Sequence, residues 1–125
     1  WLIGPWEPRL KALVGNCCLP TYQAIHDNHM LHCFPNFVPG WLQYGDTPEI
    51  ASLIAPRALH LNLGEKDRGS PIAEAQAGVE RIAAAYKQKR AGKNFSAFVE
   101  KGKGHVLSEA MWEKTKEFFA RHLQG

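Results

Sequence analysis

The segment ALHLNL, residues 58–63, constrains the fold more than any other part of the chain. Leu59, Leu61 and Leu63 recur at every second position, the period of a strand, and His60 and Asn62 fall on the opposite face. Gly64 ends the run. Ser70-Pro71 then opens a long helix in which Ile72, Ala75, Val79, Ile82, Ala83 and Tyr86 form one apolar stripe. Lys87, Lys89 and Arg90 fall at its far end, where the helix dipole favours cations, and Gly92 closes it. Phe95 to Val99 reads as another strand, Gly102 and Gly104 mark the turn after it, and Ser108 caps a last helix. The apolar face of that helix is Met111, Thr115, Phe118, Phe119 and His122 or Leu123. Strand, helix, strand, helix at this spacing calls for parallel strands joined by right-handed helical crossovers.

Upstream, Leu10 to Cys17 is a short apolar run that reads as a buried strand. Thr21 can cap a helix extending to about Leu31, and the sequence is then irregular up to Gly45. Thr47-Pro48-Glu49 starts a short helix, with Thr47 as cap and Pro48 in the first turn, and Pro56 stops it. The expected fold class is therefore α/β: three layers, with a mostly parallel sheet flanked by helices. Residues 1–125 form one domain. Three strands are few for this architecture, and the chain opens on Trp1 in apolar sequence, so a fragment lacking an N-terminal half is expected.

Composition removes several function classes. Hydrophobic residues at 45% and charged residues at 22% are those of a folded globular chain. The net charge of +3 is spread out, with no basic stripe interleaved with aromatics, so no nucleic-acid partner is expected. No apolar run reaches the roughly 18 residues that span a bilayer, so no membrane partner is expected. Cys17, Cys18 and Cys33 are odd in number and do not form a disulfide framework; they favour a reducing, cytoplasmic setting.

The chemistry lies at the carboxyl ends of the strands, where open α/β sheets bind their ligands. Three segments reach that edge: Gly15-Asn16-Cys17-Cys18, Gly64-Glu65-Lys66-Asp67 and Gly102-Lys103-Gly104-His105. A carboxylate after one strand and a histidine after the next can form an acid-imidazole pair. Asp67 is the leading acid, Glu65 the alternative, and Cys17 and Cys18 lie on the substrate-side rim. A lone Asp in such a loop is ordinarily a turn residue, and a lone His after Gly ordinarily a turn as well. Their joint placement carries the argument.

The stretches PRLKALVGNCCLPTY, VPGWLQYGDTPEIASLIAPRALHLNLGEKDRGSP and GKGHVLSEAMWEKTKEFF resemble the C-terminal part of α/β-hydrolases of the dienelactone-hydrolase-like and acetyl-esterase-like type. The order acid, then histidine, matches the last two members of that fold's Ser, acid, His sequence. The resemblance implies that Asp67 is the triad acid and His105 the triad base of a carboxylic-ester hydrolase. It implies a small-molecule ester substrate and no cofactor. The family's Gly-x-Ser-x-Gly elbow is absent: Ser52 reads as helical, Ser70 and Ser108 as caps, and Ser96 as a strand residue. The chain is thus expected to be inactive alone. Cys17 and Cys18 are followed by Leu19-Pro20-Thr21 rather than by a Gly and a helix, which favours a structural role over a nucleophilic one.

Two other readings stand beside this one. The strand at Leu10 to Cys17 has an edge that would pair with a second copy or with a missing N-terminal half, making a self-associating α/β domain. The other is a metal-binding module. His26, His29, His32 and Cys33 recur at steps suited to one helical face, and imidazole with thiolate suits zinc. No paired Cys-x-x-Cys or His-Glu-x-x-His supports it, and no metal ligand is assigned at the Asp67–His105 site.

Overall fold

The computed structural model describes residues 1–32 and 37–123. The elements are α1 (Ile3–Trp6), β1 (Ala12–Asn16), α2 (Tyr22–Asp27), α3 (Thr47–Ser52), β2 (Ala58–Gly64), α4 (Ile72–Gln88), β3 (Phe95–Glu100) and α5 (Glu109–His122). Short 3-10 turns occupy Trp41–Gln43 and Gly92–Asn94. The three strands form one parallel sheet in the order β1-β2-β3. Ala12 to Asn16 pair with Ala58 to Asn62, and Leu59 to Gly64 pair with Phe95 to Glu100.

Central position buries both faces of β2, all seven residues. Leu59, Leu61 and Leu63 pack with Leu19, Ala51, Ile54, Ala75, Ile82 and Tyr86, so α3 and α4 cover that face. The other face is polar yet equally buried, under Met111, Thr115 and Phe118 of α5. Its polar atoms are paired: His60 contacts Ser96 Oγ at 2.8 Å and Asn62 Oδ1 at 3.0 Å. Asn62 Nδ2 donates to Asn16 Oδ1 at 2.8 Å and Thr115 Oγ1 at 3.0 Å. Burying such groups without partners would cost about 1–3 kcal/mol each.

Several local expectations are corrected. The first helix after Thr21 ends at Asp27, not near Leu31, although Thr21 Oγ1 does accept the Ala24 N–H at 2.9 Å. Asp46, not Thr47, caps α3, in a capping box with Glu49 that satisfies two end donors at once. Ser70 makes no cap; its hydroxyl is buried without a partner among the described residues, and Pro71 occupies the cap position of α4. That helix stops before Gly92, with Arg90 in the left-handed region at φ 55°. In its stripe Ala83 is exposed, and Gly78 is buried instead, because a methyl there would press on Pro48 and Leu19. Ser108 caps α5, accepting the Met111 N–H at 3.1 Å.

Arg57 lies in the turn before β2. Its guanidinium donates to the carbonyls of Gly4, Pro5, Glu7 and Leu10, tying the N-terminal segment to the turn before β2. Among the described residues, no helix is long and apolar enough to cross a membrane.

Candidate active site

Gly64 is where the site begins. Its Cα hydrogens face the carbonyl oxygens of Lys103 and Gly104, and any side chain would collide with them. The loops after β2 and β3 therefore lie directly against each other. Lys66 N–H donates to Lys103 O at 2.7 Å, and Glu65 N–H to Glu100 O at 3.1 Å. This stitching sets Asp67 and His105 side by side, although 38 residues separate them in sequence.

Asp67 Oδ2 lies 3.0 Å from His105 Nδ1. Asp67 Oδ1 accepts the Gly69 N–H at 2.8 Å, a turn bond that fixes the carboxylate plane. The burial is lopsided: the Asp67 side chain is 1% exposed and the His105 ring 71%. A buried carboxylate thus holds one edge of an imidazole whose remainder faces outward. Glu65, the alternative acid, points elsewhere and accepts the Gly102 N–H at 2.8 Å, bracing the turn before His105.

His105 borders a cavity of about 780 Å³, whose walls include Trp1, Leu13, Cys17, Cys18, Ile25 and Trp41. Both cysteines of the adjacent pair therefore lie at this cavity, Cys17 buried and Cys18 partly so, and neither is in a disulfide. Cys17 follows β1 with φ 50°, a conformation few side chains adopt, and its N–H donates to Asn62 O at 2.8 Å. Its thiol lies 3.3 Å from Val106 O and donates to it. Burial pushes that thiol above its ordinary range, and the nearby Asp67 charge pushes the same way.

Cys17 Sγ, an Asp67 carboxylate oxygen and a His105 ring nitrogen all lie within 4.8 Å of one another. In a working triad the base stands between acid and nucleophile, which puts those two about 7 Å apart. Cys17 is too close to the acid for that arrangement. It sits beside the acid-imidazole pair, a protonated thiol rather than an in-line nucleophile.

The histidine cluster does not assemble among the described residues. The helix that would align it ends at Asp27, and His29 stands beyond it at φ 50°. His26 is exposed against Asp27, while His32 Nε2 reaches Gly69 O at 3.1 Å. Cys33 lies outside the described residues.

No protein-family model and no curated protein matches the chain. Solved structures do. A glucuronoyl esterase from Solibacter usitatus superposes with TM-score 0.73 at 17% identity, over 99% of this chain and 39% of that one. TT1662 from Thermus thermophilus gives TM-score 0.71 at 19% identity, over 99% and 49%. Methylesterase BT1017 gives 0.55 at 19%, over 62% and 17%. The fold shared with these solved structures is a parallel sheet flanked by helices. The chain spans about half or less of the length of each of these solved chains.

Proposed function

We propose that this chain is the C-terminal portion of a serine hydrolase acting on carboxylic esters, contributing the acid Asp67 and the base His105 to a triad. The observation that carries this reading is the 3.0 Å contact between a buried carboxylate and an outward-facing imidazole at the carboxyl edge of the sheet. Asp67 fixes the ring and stabilises its protonated form. His105 takes the proton of the serine hydroxyl as it attacks the ester carbonyl, then returns it to the leaving alcohol. A water deprotonated by the same ring releases the acyl group. The apolar cavity beside His105 suits the acyl or alcohol portion of a small ester.

The serine is contributed by an N-terminal portion whose last strand adds to the edge of β1. β1 pairs only with β2 among the described residues, and its residues are only partly buried, against the full burial of β2. An added strand would satisfy its backbone and close the cavity wall.

The test is labelling with a fluorophosphonate probe. The 125-residue chain alone should stay unlabelled, and the polypeptide extended by the upstream residues of its gene should be labelled once, upstream of Trp1. Stoichiometric labelling of the isolated chain would sink the proposal. So would an extended polypeptide that hydrolyses esters at an unchanged rate after His105→Ala.

A further inference from the structure

The corner that holds Asp67 and His105 has a third occupant that the hydrolase reading leaves unused, the thiol of Cys17. We infer that Cys17 Sγ, a carboxylate oxygen of Asp67 and a ring nitrogen of His105 form a site for a borderline-soft divalent cation, zinc foremost, that occupies the acid-imidazole pair. This inference does not depend on the esterase proposal.

Three observations converge. The three donor atoms lie within 4.8 Å of one another. Ligands of a tetrahedral zinc ion sit about 3.5 Å apart, so contraction by about 1 Å completes the set. The donors are those zinc prefers: one thiol, one imidazole and one carboxylate, from three separate loops. Two of them are already held in place. The backbone of Cys17 is pinned by its bond to Asn62 O, and the Asp67 carboxylate by the Gly69 N–H. The exposed ring of His105 supplies the mobile third ligand and leaves the fourth position open to water.

Binding forms three metal–ligand bonds. The Cys17 thiol releases its proton to solvent, and the Cys17–Val106 hydrogen bond breaks. The imidazole keeps its single proton on whichever ring nitrogen does not meet the metal. No electron is transferred. Because the ion takes the same atoms that pair Asp67 with His105, an occupied site replaces that pairing.

Cobalt(II) reports the site directly, because thiolate-bound cobalt absorbs strongly in the near ultraviolet. Titrating the full chain with cobalt alone should produce this charge-transfer band at one ion per chain, and zinc should bleach it. Cys17→Ala and Cys17→Ser should abolish the band, whereas Cys18→Ala and Cys33→Ala should keep it. His105→Ala, at an exposed ring that folding does not need, should weaken cobalt binding at least about tenfold, since loss of even a supporting contact costs 10–100-fold. The inference is overturned if natively folded chain gives no band, if the band survives in Cys17→Ser, or if it depends on Cys33. None of these readouts involves hydrolysis, so they stand apart from the fluorophosphonate result.

Discussion

His60 stands in β2 and His105 in the loop that follows β3, and each is hydrogen-bonded to an acidic or amide side chain. His60 is 4% exposed, and both of its ring nitrogens are engaged, by Ser96 and by Asn62. His105 has a 71% exposed ring, and a buried carboxylate holds its Nδ1. The first belongs to a closed network under α5, stacked on Phe118 at 5.4 Å between centroids. The second is held on one side and open on the other. The same residue type is sealed in where the fold surrounds it and open to solvent where the fold grips only one edge.

The sharpest way to break this comparison is activity. Under the proposed function, Asp67→Asn in the polypeptide extended upstream should lower kcat roughly 10⁴-fold, because the ring loses its orienting charge. His105→Ala should be at least as severe while changing stability by less than about 0.5 kcal/mol, as expected of an exposed side chain. Steady-state ester hydrolysis and thermal melting together read both. His60→Ala should do the reverse, lowering stability while leaving the proposed activity of the folded protein intact.

Asn62→Ala comes next. It removes the partner of His60 Nε2 and of Asn16 Oδ1 and one of the two partners of Thr115 Oγ1 in a buried layer, so a loss of about 1–3 kcal/mol is expected by urea unfolding. A change below about 0.5 kcal/mol would mean that this face is not sealed.

The closed network under α5 also responds to pH. Burial holds the His60 imidazole below its ordinary range, with the Lys114 charge adding to the effect. His122, packed on the same Phe118 ring, is lowered by burial and by Arg121. For both, the folded state binds fewer protons than the unfolded chain just below the ordinary imidazole value of about 6.5. Their contribution to stability is therefore complete above about pH 6.5 and is lost as pH falls from there through the folded values. Urea midpoints should decline from pH 7.5 to pH 5, and less steeply in His60→Gln.

The smallest effect belongs to Glu65. Glu65→Gln keeps a weaker acceptor for the Gly102 N–H, so stability should fall by less than about 1 kcal/mol and kcat by only a few-fold. A loss as large as that of Asp67→Asn would return Glu65 to candidacy as the acid.

The sequence by itself determined the strands, their faces and the two loops that matter, because these follow from short-range rules. Alternation in ALHLNL, the stripe of α4 and the Ser108 cap are each set by residues within a few positions of one another. Glycines at 64, 102 and 104 announced sharp turns at the strand ends. Tertiary structure alone decided which carboxylate meets His105. Asp67 and Glu65 are two residues apart in the same loop, and the choice rests on the contact of that loop with Lys103 and Gly104. It also decided the fate of the histidines at 26, 29 and 32, since their helix ends at Asp27. The placement of Cys17 beside the acid-imidazole pair is of the same kind: its thiol meets Val106, 89 residues on. Periodicity in a chain records what neighbours along it do, and none of these three outcomes is decided between neighbours.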